Sequence, residues 1–284
     1  MSTVIGIIAQ GTMGAGVGRR LRENGAEVRT LLAGRSAASA ARAEQAGMIA
    51  VADEGALLDG AQFFLSILPP GEAEGLARRL APALTALAAK PVYLDCNAVS
   101  PQSAIRIGEI LGPTGVHYVD AGIIGGPPRP GYGPAIYASG GHVREALALQ
   151  DCGLDLRAIE GPIGAASGMK MSYAGITKGT TAIASAMLLG AARFGCAEAL
   201  IAELSKSQPQ LLAQFRASIP RMYDKAYRWV AEMQEISDFL EANPPSSDIY
   251  AAVARLYDYL AEADAEDPPA PGNAVKTLDR VLGK

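Results

Sequence analysis

Histidine is nearly absent from this 284-residue chain. It has two, His117 and His142, and neither flanks a cysteine or another histidine at metal-ligand spacing. No zinc site is therefore expected. Cysteine is almost as scarce: Cys96, Cys152 and Cys196 lie far apart with no C-x-x-C pair. That predicts reduced thiols in a cytoplasmic protein rather than a disulfide framework. No block of Lys and Arg occurs and the net charge is −4, so nucleic acid is not expected as a partner. Nor does any stretch offer the ~18 uninterrupted apolar residues of a membrane helix. The N-terminus enters a strand-like run directly, without the basic start and cleavable apolar stretch of a secretory leader. Two enzyme classes are disfavoured in the same way. There is no G-x-S-x-G, and neither histidine has an obvious nucleophile partner, which argues against a hydrolase. There is no G-x-x-x-x-G-K-[ST], which argues against a phosphate-loop ATPase.

What the chain does have is apolar material for a large core: 49% hydrophobic residues against 19% charged, over a length sufficient for two domains. Short apolar runs at Thr3–Ala9, Glu27–Leu32, Met48–Val51, Gln62–Ile67, Val92–Asp95 and Val116–Asp120 alternate with segments rich in Ala, Arg, Glu and Leu. This alternation predicts a mostly parallel sheet with helices on both faces. A Gly/Pro-rich loop, Gly125 to Gly133, follows, and Ala135–Ser139 reads as a strand returning antiparallel. After about residue 160 helical periodicity takes over. Gly164 to Phe194 reads as one long helix or two abutting ones, and Arg221–Glu241 and Ile249–Leu260 are amphipathic. On the helix Arg221–Glu241, Arg228, Glu232 and Glu235 read as a solvated face. A stiff Pro268–Gly272 linker leads to a short last helix. The expected fold is α/β, with a doubly wound N-terminal domain over residues 1–160 and an all-α domain over 161–284.

The first strand-like run ends in Ala9-Gln10-Gly11-Thr12-Met13-Gly14. Glycines at this spacing, between a buried strand and a helix, let a backbone turn press against a pyrophosphate, while the helix start offers N–H groups and a positive dipole end. The full Rossmann dinucleotide pattern is G-x-G-x-x-G; Ala9 stands at its first glycine, so the exact motif is absent, and the strand–turn–helix context favours the dinucleotide reading over a glycine-rich turn of another α/β protein. Gly14 and Gly18, four apart, would let the helix lie close to the sheet. The next strand ends near Arg35-Ser36. An acidic residue there would hold the ribose hydroxyls of NAD, whereas arginine pairs in a bidentate way with the extra phosphate of NADP. Gly11, Thr12, Met13, Gly14, Arg35 and Ser36 are accordingly expected to bind NADP(H), in preference to NAD(H).

Far along the chain, Lys170 sits in the apolar segment Gly164–Phe194, whose other charges are Lys178 and Arg193. Burying an ammonium costs several kcal/mol unless it is paired. A lysine kept there either reaches solvent from a helix start or does chemistry, and burial suits a lysine to proton transfer near neutral pH. Helix position alone leaves both readings open. Thr177 shares its face, and Ser167 lies one turn before it.

Together these segments resemble the superfamily of 6-phosphogluconate dehydrogenase and the β-hydroxyacid dehydrogenases. Gly11-Thr12-Met13-Gly14 is similar to that family's cofactor turn, and Leu65-Ser66-Ile67-Leu68-Pro69 to the strand whose end passes along the cofactor. Asp95-Cys96-Asn97-Ala98-Val99-Ser100-Pro101 resembles its substrate motif, with Asn97 and Ala98 in place of Ser-Thr. Asp120-Ala121 with Gly125-Gly126 resembles its Asp-Ala-Pro-x-Ser-Gly-Gly stretch, and Gly164–Lys170 the segment bearing its catalytic lysine. Four residues after Lys170, Ala174 stands where that family has asparagine. The resemblance implies an oxidoreductase that moves hydride between a nicotinamide and a small hydroxy acid or related carbonyl compound. It implies Lys170 as acid/base, Leu68, Pro69 and Asn97 beside the cofactor, and Asn97, Ala98, Gly125, Gly126, Tyr173 and Thr177 beside the substrate. It also implies a homodimer joined through the C-terminal helices. Two other readings fit the same residues: an imine reductase, with Tyr173 as proton donor, and a non-catalytic NADPH sensor, which would need no buried lysine.

Overall fold

The computed structural model describes every residue except Met1, Ala9, Gln10 and Lys284, so the alanine at the first position of the fingerprint lies outside the described residues. The chain divides into two compact units, Met1–Met171 and Ser172–Lys284. The division falls within a helix rather than at residue 160, because the segment from Gly161 to Met171 packs with the sheet.

The first unit runs β1 (Val4–Ile8), α1 (Thr12–Glu23), β2 (Glu27–Leu31), α2 (Ala37–Gln45), β3 (Ile49–Val51), α3 (Glu54–Leu58), β4 (Phe63–Ser66), α4 (Ala73–Ala86), β5 (Val92–Asp95), α5 (Pro101–Leu111), β6 (His117–Ile124), β7 (Ala135–Ser139), α6 (Val143–Ala146) and β8 (Asp155–Ala158), and ends in the first turns of α7 (Ala165–Arg193). The strands form one sheet in the order β3-β2-β1-β4-β5-β6-β7-β8. All neighbours are parallel except β6 and β7, which pair antiparallel as the sequence led us to expect. The order reverses between β1 and β4, and ligands of such sheets bind at that point, outside the carboxyl ends of the strands.

Short apolar runs make these strands because both faces of the sheet are covered. On one face Ile5, Ile7, Val119, Ala121, Ile123 and Ile136 pack with Val17 and Leu21 of α1. On the other, Phe64, Tyr93 and Tyr118 pack with Leu76 and Leu80 of α4 and Ile107 of α5. Helix starts follow capping chemistry: Ser36, Asp53 and Ser100 accept hydrogen bonds from the first turns of α2, α3 and α5, and Pro101 opens α5. Gly18 is approached by the thioether of Met48 rather than by the sheet; a Cβ there would meet Met48 Cε at 2.9 Å. Strand β8 has no counterpart in the sequence reading. Only Leu156 of its four residues is buried, and Arg157 pairs with Asp155 on its exposed face. A charged edge strand of this kind resists further pairing and hides the alternating pattern.

The second unit holds the rest of α7 and then α8 (Ala197–Ser207), α9 (Pro209–Ser218), α10 (Ala226–Phe239), α11 (Pro244–Ala265) and α12 (Ala274–Leu282). Its glycines have a packing role. A Cβ on Gly175 would meet the Tyr250 hydroxyl at 2.9 Å and one on Gly179 would meet it at 3.3 Å, so α11 lies against α7 at both. Glu232, expected on a solvated face, is instead buried. It ion-pairs with Lys178, whose ammonium sits 4.7 Å from the Trp229 ring centroid. The apolar stripe of the segment predicted the buried side of α10 correctly at Ala226, Met233 and Ile236, and Met222, which precedes the helix, is buried too. Periodicity could not foresee a cation reaching Glu232 from a helix more than fifty residues earlier.

Candidate active site

A buried polar row crosses the first unit near the carboxyl ends of its parallel strands. The sheet register aligns Ser66 with Asp95, Asp95 with Asp120, and Asp120 with Ser139. All four are at most 2% exposed. Buried polar groups need partners, and here the partners build the site.

Asp120 caps the helix that carries the lysine. Its Oδ2 accepts hydrogen bonds from the backbone N–H of Gly164 at 2.9 Å, the N–H of Ser167 at 3.0 Å and the hydroxyl of Ser139 at 3.2 Å. Its Oδ1 accepts the hydroxyl of Ser167 at 2.6 Å. Ser139 Oγ in turn accepts the N–H of Ala166 at 2.9 Å. A carboxyl group at a helix N-terminus also meets the positive end of its dipole. Two residues further along the strand, at Gly122, a Cβ would come within 2.8 Å of Lys170 Cβ and 3.2 Å of Ala166 O. The first turns of α7 therefore lie directly on the β6 backbone, and Lys170 is fixed over that strand from below by a cap and from the side by a missing side chain. Lys170 is partly buried, intermediate between the snorkelling and the sequestered lysine that its sequence position allowed.

Asp95 uses the same row differently. Its Oδ1 accepts from the Asn97 side-chain amide at 2.5 Å and the Asn97 N–H at 3.1 Å, and Tyr118 donates to Oδ2 at 3.3 Å. Burial pushes its carboxyl up to about 7; the Asn97 N–H acts the other way, and neighbouring Asp120 adds to the rise. Asn97 is fully engaged in this scaffold. Its amide nitrogen also donates to Ser66 Oγ at 2.8 Å and its oxygen accepts the N–H of Leu68. It thus ties the end of β5 to the end of β4 and sets the path of Leu68 and Pro69, rather than presenting its amide to a ligand. Ala98 is partly buried beside it.

The loop after β6 is folded back on α1. Gly125 has φ +128°, a conformation that favours glycine, and a Cβ there would collide with the Tyr132 hydroxyl. That hydroxyl accepts the N–H of Gly126 at 3.1 Å. Arg20 of α1 donates to the carbonyls of Arg129 at 3.0 Å and Tyr132 at 2.9 Å, and Pro128 lies against Gly16, where a Cβ would meet it at 3.0 Å. The Gly125–Gly126 turn is thereby held on the helix that starts at the cofactor turn. Gly16, Arg20, Gly122 and Ser139 were not singled out by the sequence; the spacing of small residues on α1 was the one available signal.

At the cofactor turn, Gly11 precedes the first turn of α1 and offers it no side-chain hydrogen bond, and among the described residues beyond its chain neighbours a Cβ on Gly11 would meet no atom within 4 Å. That leaves room for a ligand at a helix N-terminus. Thr12 is exposed, Met13 partly buried and Gly14 buried. Beyond the ends of β1 and β2 lies a cavity of about 330 Å³, lined by Ile8, Leu31, Gly34, Arg35, Glu72 and Arg79 among others. Arg35 is 3.9 Å from Glu72, both side chains partly exposed, a weak and exchangeable pairing. The hydroxyl of Ser36 is engaged at the start of α2, with the Ser39 N–H at 3.2 Å. The hollow sets Arg35 and Arg79 beside the carboxylates of Asp53, Glu54 and Glu72. Tyr173 and Thr177 belong to the second unit; Tyr173 is exposed, and Thr177 donates its hydroxyl to the Tyr173 carbonyl at 2.9 Å.

The family described as the NAD binding domain of 6-phosphogluconate dehydrogenase matches residues 4–152, more than half of the sequence. The chain belongs to that family. Residues 191–260 match a second family, described as a domain of unknown function, DUF1932. No curated protein sequence matches. Among solved structures, the conserved protein MTH1747, described as of unknown function with structural similarity to 3-hydroxyacid dehydrogenases, is 28% identical. That match covers 91% of this chain and 97% of that one, with a TM-score of 0.72. The 3-hydroxyisobutyrate dehydrogenase of Mycobacterium tuberculosis, solved with L-serine, is 18% identical over 98% and 99% of the chains, TM-score 0.75. An imine reductase from Myxococcus stipitatus with NADP⁺ is 16% identical over 99% of each, TM-score 0.58. The last two share the fold. The family member described here thus has the NAD(P)-binding oxidoreductase scaffold of the hydroxyacid dehydrogenases. Among its described residues no helix is long and apolar enough to cross a membrane.

Proposed function

We propose that this protein is an NADP-dependent dehydrogenase or reductase acting on a small hydroxy acid or a related alcohol or carbonyl compound, with Lys170 as its acid/base. The observation that carries the reading is the double fixation of Lys170 over β6, by the Asp120 cap and by the contact with Gly122, in the same compact unit as the cofactor turn. A lysine whose sole task was solubility would need neither. Gly11–Gly14 would hold the pyrophosphate, with Leu68 and Pro69 along the cofactor's path. Arg35, released from Glu72, would pair with the ribose phosphate, which supports NADP(H) over NAD(H). When bound, the nicotinamide supplies or accepts hydride. Lys170 gives or takes the proton of the substrate oxygen, and the Gly125–Gly126 turn lets the substrate approach the backbone closely.

A second copy of the chain is the proposed partner. Ile176, Ile183 and Met187, at spacings of seven and four, share one stripe of α7, and Phe194 follows just past its end; all four are more than half exposed. Such a stripe is the kind of surface a homodimer covers.

The test is Lys170→Ala, assayed for NADPH oxidation across a panel of small 2- and 3-oxo acids, aldehydes and cyclic imines. Turnover should fall at least about a hundredfold, in line with loss of a general acid, while NADPH affinity changes less than threefold. Full turnover in the variant would remove Lys170 from the mechanism. NADPH binding without turnover in the native protein across the panel would favour a sensor, and turnover of imines alone a reductase of C=N bonds.

A further inference from the structure

The two histidines that the sequence keeps apart meet in space. His117 is the first residue of β6, and His142 ends the Gly140-Gly141 turn that leads from β7 into α6. Their rings stack face to face, with centroids 3.9 Å apart and planes 7° from parallel. Both turn Nδ1 toward one carboxylate: His117 lies 2.6 Å from Glu145 Oε2 and His142 lies 2.9 Å from Glu145 Oε1. One donor atom from each of the three residues falls within 4.8 Å of the others.

We propose that His117, His142 and Glu145 form a site for one divalent transition-metal ion, of the zinc, nickel or copper class, separate from the active site. Two imidazoles and one carboxylate are the donor set such ions prefer, whereas magnesium and calcium want oxygen alone. With metal–nitrogen and metal–oxygen bonds of about 2.0–2.2 Å, tetrahedral donors stand roughly 3.3–3.5 Å apart. The observed Nδ1–oxygen distances are short of this by less than 1 Å. The stacked rings must also turn out of parallel for both in-plane lone pairs to meet at one ion; each side chain is a little under half exposed, so that turn is open on the solvent side, as are the remaining coordination positions.

The backbone prepares the arrangement. Gly140 has φ +109°, its N–H donates to the Gly161 carbonyl at 3.2 Å and its carbonyl accepts the Val143 N–H at 3.1 Å. His142 is thereby delivered beside the start of β6. Five residues separate His117 from Gly122, about 16 Å at ~3.3 Å per strand residue. An ion there would not touch Lys170. It would pin the start of β6 to α6, and the expected consequence is a more stable sheet edge.

The experiment is calorimetric titration of the untagged full chain, in a Cys196→Ser background that removes the exposed thiol. Zinc chloride, nickel chloride and magnesium chloride are the probes. One zinc or nickel ion per chain is expected, with magnesium silent. Glu145→Gln should weaken binding at least tenfold, and His117→Ala/His142→Ala should abolish it, both variants keeping the native circular dichroism spectrum and NADPH affinity. Absence of saturable zinc uptake by the parent, uptake unchanged in the double variant, or equal binding of magnesium would each overturn the proposal.

Discussion

The Asp120 cap invites a quantitative test that needs no knowledge of the substrate. Its carboxylate accepts four hydrogen bonds, two of them from the backbone N–H groups of Gly164 and Ser167 at the start of α7. Asp120→Ala leaves those two N–H groups buried without their acceptor, since Asp120 is only 1% exposed. An orphaned buried donor costs about 1–3 kcal/mol. The serine hydroxyls can rotate to other acceptors, so the backbone pair sets the scale and the expected loss is about 3–5 kcal/mol. Asp120→Asn is a sharper probe. Its amide oxygen can stay with the donors on Oδ2 while its nitrogen donates to Ser167 Oγ, so only the charge-assisted part of the bonds is lost, about 1–2 kcal/mol. Urea unfolding followed by far-UV circular dichroism gives the two differences. Hydrogen exchange of a peptide covering residues 160–175 localises them: protection there should fall more in the alanine variant than in the asparagine variant. An alanine variant within 1 kcal/mol of native, or an asparagine variant worse than alanine, would refute the view that this carboxyl group anchors the lysine-bearing helix.

Three further outcomes are expected. Gly122→Ala places a methyl group 2.8 Å from Lys170 Cβ. Ordinary carbon contacts need about 3.5–4.0 Å, so helix and strand must part by close to 1 Å, costing about 1–3 kcal/mol and, once a substrate is found, on the order of 10²-fold in turnover; unchanged kcat would contradict the placement of Lys170. Asp95 ionises near 7 in the folded chain against an ordinary 3.8. Its stabilising contribution is therefore complete below about pH 4, declines as pH rises to 7 and is flat above, a change of at most about 4–5 kcal/mol at ~1.4 kcal/mol per pH unit. Asp95→Asn should thus be worse relative to native at pH 4.5 than at pH 8 in urea unfolding, and an equal difference at both would argue against a protonated Asp95. Arg35→Ala should weaken NADPH binding at least tenfold while changing NADH binding less than twofold, read by thermal shift with each nucleotide; equal effects would separate Arg35 from the ribose phosphate.

Several features were legible in the residues alone because they depend on neighbours in sequence. Apolar runs of strand length, Ser36 and Ser100 ahead of helices, and glycines after Ile8 each act over one or two turns of chain. The alternation of strand and helix then leaves few topologies for a parallel sheet. Lys170 stands out in the sequence because an ammonium in an apolar segment is costly wherever the fold places it. What could not be read were pairings across long separations. The register that sets Asp95 beside Asp120, the cap that Asp120 places on residues more than forty positions later, and the engagement of Asn97 with Leu68 and Ser66 follow from how whole strands align. Strand β8 escaped because an edge needs charge more than alternation.

Local chemistry in the sequence determined the turn for a nucleotide, the α/β character of the first unit and the helical character of the second. Tertiary structure alone decided that a strand glycine makes room for Lys170, that Glu232 is buried against Lys178, and that two histidines with no sequence spacing in common share one carboxylate. The reason is the same in each case. Hydrophobic periodicity constrains which face of an element is buried, but the partner on that face is chosen by packing between elements, and the polar groups then take whichever neighbours the packing brings within hydrogen-bonding reach.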